Sequence, residues 1–225
     1  MNSIGTTTEQ EQTVRSHRGT PTWEIAHLFP VQGNWSEADY LALETNRLVE
    51  FSEGTLEFLP MPTFSHQDIV KFLYDALNPF VVSARLGRVY FAPVRIRIAG
   101  RKYREPDLVF LKPERIQNPH EPSDGADLVM EVVSEGPENR RRDIEQKRTE
   151  YAQAGIPEYW IVDPQQKHIH VLSLDSPGGT YRVHGEFGTG QRAESVLLPG
   201  FTVSVDETFA AGEPGREPSS RPAES

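Results

Sequence analysis

Two carboxylates fall where they could support phosphodiester chemistry. Asp107 opens the apolar run 107–111, and Glu131 interrupts the apolar run 127–133. Burying a carboxylate without a partner is costly, so such a group is normally protonated, paired or bound to a metal. Mg²⁺ prefers hard oxygen ligands, usually one or two carboxylates completed by water and substrate phosphate. Asp107 and Glu131 are therefore candidate ligands of a metal that activates water for hydrolysis.

A lysine on the next predicted element could complete this chemistry. Lys147 lies three and four residues from the apolar positions Ile144 and Tyr151, so it faces inward with them on a helix. There it could orient or deprotonate the attacking water and stabilise developing charge. The alternative is an ordinary helix ion pair with Asp143, four residues earlier.

Basic residues near these positions are candidate substrate contacts. The net charge of −10 argues against a general nucleic-acid binder, because phosphate contacts need clustered lysine and arginine. Local basic patches beside a carboxylate cluster would still suit a phosphodiester, although solvated faces are the alternative. For His66, near a predicted helix start, the alternative is a cap-region histidine satisfied by backbone. The candidate substrate-binding residues are His66, Arg95, Arg97 and Arg142.

The elements that must position these residues follow from periodicity and turn signals. Residues 107–111 and 127–133 predict strands, and the second, apolar on both sides of Glu131, predicts burial on both faces. The resulting order of the core is αβββαβ, an α/β fold with a mixed sheet, an extra N-terminal hairpin and extra C-terminal strands. The remaining predictions are helices over 37–45, 65–80 and 138–153, a hairpin of 48–51 and 55–59, and strands over 89–98, 160–162, 169–172, 181–183, 194–198 and 201–205.

Composition bounds the class of protein. The length of 225 residues suits a single domain over 21–209, flanked by polar tails at 1–20 and 210–225 that we expect to be disordered. The absence of cysteine excludes a disulfide framework, a thiolate nucleophile and a cysteine-based zinc site. No apolar run is long enough for a membrane span and no signal peptide is visible, so we expect a cytoplasmic protein. Three further histidines do not match a zinc-site spacing: His168, His170 and His184.

The combined motifs of the chain resemble those of the Uma2 family, which has a restriction-endonuclease-like PD-(D/E)XK fold. The resemblance covers about residues 35–205 and depends on Pro106-Asp107-Leu108-Val109, Asp127–Ser134, Arg142-Asp143 with Lys147 and Tyr151, and Gly155–Pro164.

The family resemblance implies a nuclease-like core with Asp107 and Glu131 as metal-binding carboxylates. An acidic residue from the hairpin is also implied, which is Glu50 or its rival Glu57. One departure matters, because a Glu-x-Lys motif would place lysine at position 133 and this chain has Val133. Lys147 is the candidate for a migrated lysine.

Two main functional hypotheses follow. The first is a Mg²⁺-dependent endonuclease acting on DNA, with Mn²⁺ as a substitute metal. The second is a catalytically silent nuclease-fold module that binds nucleic acid or a protein partner. A hydrolase of smaller phosphoesters is a third, weaker hypothesis. The oligomeric state stays open, with a homodimer as one arrangement.

Overall fold

The computed structural model describes residues 29–45, 47–99, 101–176 and 179–215. The expected N-terminal arm, 1–20, and all but the first six residues of the expected C-terminal tail lie outside these ranges. The five helices within them are α1 (Glu37–Leu41), α2 (Phe64–Ser83), α3 (Pro137–Arg141), α4 (Lys147–Gln153) and α5 (Val205–Ala211), with a 3-10 turn at Pro113–Arg115 and a π-helical turn at Arg142–Gln146.

The strands form three sheets. They are β1 (Val49–Ser52), β2 (Thr55–Phe58), β3 (Arg88–Phe91), β4 (Ile96–Ala99), β5 (Lys102–Arg104), β6 (Leu108–Leu111), β7 (Ser123–Asp124), β8 (Leu128–Val132), β9 (Glu158–Asp163), β10 (His168–Ser173), β11 (Arg182–Phe187), β12 (Arg192–Glu194) and β13 (Thr202–Ser204).

A six-stranded mixed sheet is the centre of the fold, with strand order β11-β10-β9-β8-β6-β3. Within it β8 and β9 run parallel, and the other pairs are antiparallel. Reading α2, β3, β6, β8, the α3–α4 segment and β9 along the chain gives the predicted αβββαβ order. The predicted α/β fold class is therefore confirmed.

The two faces of this sheet carry separate cores, as the twofold alternation of side chains requires. Helices α2 and α5 cover one face, where Leu73 of α2 packs with Met130 and other inward residues of β8. Tyr151 of α4 covers the other face, where it packs with Val129 and Val133. Alternation places residue 131 on this second face, between 129 and 133.

A smaller five-stranded sheet, ordered β2-β1-β5-β4-β7, stands beside the main sheet. It contains the predicted hairpin, β1 and β2, in which Glu50 and Glu57 are opposite partners. Its own core is aromatic, with Tyr40 stacked on Phe51 and close to Tyr103.

The prediction of one strand over 89–98 is wrong. The segment forms β3 in the main sheet and β4 in the small sheet. Pro93 lies between them, and proline cannot donate a ladder hydrogen bond, so the strand is interrupted there.

Smaller boundary differences occur elsewhere. The helix predicted over 138–153 exists as α3 and α4, separated by the π-helical turn. At the C-terminus α5 continues through residue 211, two residues into the tail that the sequence predicted to be disordered. In the described part of the chain, no helix is both long and apolar enough to cross a membrane.

Candidate active site

Glu131 lies in the middle of β8 and is only 3% exposed. Its side chain points to the face covered by α4. There its Oε1 accepts hydrogen bonds from Lys147 Nζ at 2.8 Å and from the Tyr151 hydroxyl at 2.6 Å. The predicted buried carboxylate thus exists and has two polar partners on the following helix.

Lys147 is the cation of this cluster. It is 2% exposed, and its Nζ lies 3.5 Å from Glu50 Oε1 and 3.6 Å from Asp143 Oδ1, in addition to the contact with Glu131. The inward orientation predicted from the spacing is confirmed. The alternative of a simple ion pair with Asp143 is incomplete, because three carboxylates surround the ammonium.

The π-helical turn sets the start of α4. The backbone N–H of Lys147 donates to the carbonyl of Arg142, five residues earlier rather than four. Asp143, within this turn, and Lys147, directly after it, are both buried. Turns of this type occur often at functional sites, and helical periodicity in a sequence does not reveal them.

Asp107 lies immediately before β6, next to β8, so the two predicted ligands come from neighbouring strands. Its Oδ2 accepts a hydrogen bond from the backbone N–H of Val132 at 2.8 Å. It also lies 3.2 Å from His66 Nε2, which is 3.1 Å from the carbonyl of Val132. Both neighbours of Nε2 are acceptors, so that nitrogen carries a proton.

His66 is positioned by the start of α2. Thr63 is the N-cap, and its side chain accepts a hydrogen bond from the backbone N–H of His66. The alternative for this residue, a cap-region histidine satisfied by backbone, holds in part, because Nε2 lies close to the backbone carbonyl of Val132. The same nitrogen also contacts Asp107, and Nδ1 is buried with no hydrogen-bond partner among the described residues.

These side chains meet at one pocket. Its lining combines polar residues from β8, the π-helical turn and α4 with apolar residues from the hairpin and the segment before α2. The lining residues are Leu48, Leu59, Pro60, Pro62, His66, Asp107, Glu131, Val132, Ser134, Arg142, Asp143 and Lys147.

The electrostatics of the pocket are dominated by clustered carboxylates. Burial raises the pKa of Glu131 to about 7, and the charges of Asp107, Asp143 and Glu50 act in the same direction against that of Lys147. Burial alone would lower the pKa of Lys147, but its carboxylate neighbours outweigh burial and raise it. Lys147 therefore keeps its proton.

In the Asp107–His66 pair, the contact between the two residues outweighs the effect of burial on each pKa. Burial would raise the pKa of Asp107, but the hydrogen bond and charge of His66, with Lys147 nearby, hold it below its usual value. Burial would lower the pKa of His66, but the hydrogen bond and charge of Asp107 raise it. Asp107 is consequently ionised at neutral pH.

The hairpin supplies Glu50 to the cluster and leaves Glu57 at its edge. Glu50 is 1% exposed, and besides Lys147 its carboxylate lies 3.5 Å from Arg104 Nε. Arg104 itself is bidentate to Glu150 of α4. Glu57 is exposed and only approaches Arg142, at 3.7 Å. The structure therefore places Glu50, rather than Glu57, behind the lysine.

The predicted substrate-binding residues divide into two groups. His66 and Arg142 line the pocket, and Arg142 also contacts Asp143 at 3.1 Å. Arg95 and Arg97 are outside it. Arg95 pairs with Glu105 at 3.2 Å, and Arg97 pairs with Asp124 at 2.6 Å. The alternation that put both arginines on one polar face could not reveal these acidic partners, because Glu105 follows β5 and Asp124 belongs to β7.

Tyr151 and Asp143 are members of the cluster to which the sequence assigned no site role. Tyr151 was interpreted only as an apolar anchor, and Asp143 only as a helix partner of Lys147. Their spacing of four residues on either side of Lys147 was the available signal. It became informative only once β8 was known to bring Glu131 to the same helix face.

The donor set fits a magnesium ion. Asp107 and Glu131 both present oxygen ligands to the pocket, and Mg²⁺ is commonly held by one or two carboxylates plus water. Burial, with the charges of the neighbouring carboxylates, raises the pKa of Glu131, and a bound divalent cation would favour its ionised form. Across the described ranges, no group of three or more histidine or acidic side chains forms a metal cage.

Comparisons with known proteins identify the family and the fold of the chain. The family model of Uma2, described as "Putative restriction endonuclease", matches residues 37–206. A solved structure from Anabaena variabilis, described as "a putative nuclease", superposes with a TM-score of 0.64 at 19% identity, covering 79% of this chain and 99% of that one. No curated protein matches the chain. At that identity the solved structure supports the fold, whereas the family match spans most of the chain, so this protein belongs to the Uma2 family.

Proposed function

We propose that the protein is a Mg²⁺-dependent endonuclease that hydrolyses phosphodiester bonds in DNA. The observation that carries this proposal is the convergence of Asp107, Glu131 and Lys147 on one pocket. Membership of a family described as "Putative restriction endonuclease" supports the same reaction class. The fold alone would not, because one fold serves many functions.

Asp107 and Glu131 would hold the metal, with Mn²⁺ as a substitute. When bound to these two residues, a divalent cation would supply an activated water and would offset charge on the scissile phosphate. His66 and the backbone N–H of Val132 keep Asp107 ionised, which is the form that binds a cation. Tyr151 fixes the orientation of Glu131 by donating to its Oε1.

Lys147 acts as an ammonium rather than as a base. Its raised pKa keeps the proton on Nζ, so it cannot accept one from water near neutral pH. A fixed positive charge can instead orient the attacking water and stabilise the negative charge that develops on the phosphate. Glu50 supports this role by holding the ammonium from behind, so it is a positioning residue.

Substrate contacts come from the two pocket residues of the predicted set. Arg142 is a guanidinium at the pocket wall and suits a phosphate oxygen. His66 is the second candidate. We assign no substrate contact to Arg95 or Arg97, because each is engaged by a carboxylate outside the pocket.

Cleavage of supercoiled plasmid DNA tests the proposal. We expect nicking or linearisation with Mg²⁺ or Mn²⁺, none with EDTA, and loss of cleavage in Asp107→Ala at an unchanged protein concentration. Absence of metal-dependent cleavage by the folded wild-type protein would contradict it.

The second candidate function is a silent module that binds nucleic acid or a protein. The net charge of −10, unfavourable for a DNA enzyme, is the observation in its favour. In that case the plasmid would stay intact, and Asp107→Ala would bind any DNA target as the wild type does.

A further inference from the structure

Three large apolar side chains beside the pocket have no evident structural role. Phe58, Met61 and Phe64, here called the apolar rim, are 54%, 70% and 92% exposed. They belong to the segment 58–64, which joins β2 to α2 and contains no charged residue. Exposed apolar groups clustered in this way are typical of a binding surface rather than of a free one.

The apolar rim is continuous with the pocket. Leu59, Pro60 and Pro62, which alternate with the rim residues along the segment, line the pocket wall. Phe64 opens α2 two residues before His66, which contacts Asp107. A polymer whose phosphate lies at Asp107 therefore has its flanking units beside this segment.

We propose that the apolar rim stacks on unpaired bases next to the scissile phosphate, so that the site takes single-stranded or locally unpaired DNA. This inference rests on the proposed nuclease function and names its substrate class. Base-to-aromatic stacking is the usual way in which proteins bind single strands without reading sequence.

The chemistry of the segment favours bases over the other parts of a nucleic acid. Without a charged side chain, residues 58–64 cannot pair with phosphates, a task left to Arg142 in the pocket lining. Flat, apolar base faces match Phe64 and Phe58. In an intact duplex those faces are covered by neighbouring base pairs, so stacking on the rim requires unpaired nucleotides.

Binding measured without cleavage tests this inference. The full-length protein is titrated in EDTA with an oligothymidylate carrying one internal 2-aminopurine, and with the same strand annealed to its complement. Quenching of 2-aminopurine fluorescence reports stacking, and anisotropy of an end label reports affinity. Because no metal is present, the result does not depend on whether the plasmid assay succeeds.

Substitutions at Phe64 separate stacking from simple apolar contact. Phe64→Trp keeps a flat ring, and Phe64→Leu keeps apolar area without one. At 92% exposure neither change should affect folding, which a melting temperature checks. Val183→Ala, at an exposed site on the edge strand β11, is the control away from the pocket.

We expect the single strand to bind more tightly than the duplex and to be quenched. Phe64→Leu should weaken its binding on the order of 10-fold and abolish quenching, whereas Phe64→Trp and Val183→Ala should behave as the wild type. Equal binding by Phe64→Leu and the wild type, or no binding of the single strand, would overturn the proposal. If the wild type were a dimer and Phe64→Leu a monomer with unchanged DNA binding, the apolar rim would be a contact between two copies of the chain. That result would also overturn the proposal.

Discussion

Glu131 and Glu158 are both buried carboxylates on the paired parallel strands β8 and β9, yet their surroundings differ. Glu158 accepts four hydrogen bonds, from Trp160 Nε1 at 2.6 Å and from Ser195 Oγ and the N–H groups of Val196 and Leu197 at 2.7 Å each. It lies outside the pocket lining. Glu158 thus fixes a loop to the sheet.

Glu131, by contrast, shares its space with other carboxylates. It accepts hydrogen bonds at one oxygen from Lys147 and Tyr151, and burial, together with the charges of Asp107, Asp143 and Glu50, raises its pKa. Burial of a carboxylate therefore does not by itself identify a functional site. What distinguishes Glu131 is an excess of like charge at a pocket, an arrangement that costs stability and is typical of catalytic or metal-binding sites.

The largest expected effect is that of Lys147→Met. The substitution keeps the aliphatic stem but leaves Glu131, Glu50 and Asp143 without their shared cation, so we expect a loss of about 3–5 kcal/mol in the free energy of unfolding. Single-turnover cleavage should fall on the order of 10²-fold. Lys167→Met removes an exposed lysine paired with Glu213 and is the matched control, with near wild-type stability and rate. Wild-type cleavage by a folded Lys147→Met protein would end the proposed role of the lysine.

Glu158→Gln should be the next largest change, and in stability alone. The amide group brings two donors to a position surrounded by donors, so we expect a loss of about 3 kcal/mol. Glu194→Gln, at an exposed carboxylate on β12, should be neutral in the same urea denaturation. If Glu158→Gln were as stable as the wild type, the structural interpretation of Glu158 would be wrong.

The pH dependence of stability should report the strain at Glu131. The folded-state pKa of about 7 lies above the ordinary value of 4.5, so its contribution is present below pH 4.5 and is lost as pH rises to 7. In EDTA, the wild type should lose on the order of 2 kcal/mol more over this range than Glu131→Gln. Its neighbour His66, whose pKa is also raised, changes stability in the same direction in both proteins. Parallel stability curves for the two proteins would contradict the prediction.

The smallest effect is expected at Glu57. It is half exposed and 3.7 Å from Arg142, so Glu57→Gln should change the free energy of unfolding by less than about 0.5 kcal/mol and leave Mn²⁺ affinity unchanged. Glu50→Gln, which alters a buried partner of Lys147, should lower stability measurably and weaken Mn²⁺ binding in calorimetry. If Glu50→Gln and Glu57→Gln had the same stability and the same Mn²⁺ affinity, the assigned role of Glu50 would be wrong.

The sequence predicted the parts of the site that depend on local periodicity. An apolar run around one carboxylate places Glu131 on a buried strand, and the spacing of Ile144, Lys147 and Tyr151 turns the lysine inward. Both inferences need only the repeat of a strand or a helix.

Parts that depend on distant contacts were beyond the sequence. Nothing near Arg97 indicates that Asp124, twenty-seven residues later, will neutralise it. The burial rule that selects Glu131 would equally select Glu158, because three of the four donors that satisfy Glu158 lie in a loop almost forty residues away. The π-helical turn was likewise invisible, since it shifts one hydrogen bond without altering the apolar pattern.

The most direct test of the central claim is the single-turnover cleavage rate of Glu131→Gln beside that of Glu158→Gln, at a temperature where both are folded. We expect Glu131→Gln to lose cleavage on the order of 10²-fold or more and Glu158→Gln to cut at the wild-type rate. Wild-type cleavage by Glu131→Gln would contradict the assignment of the pocket as the active site.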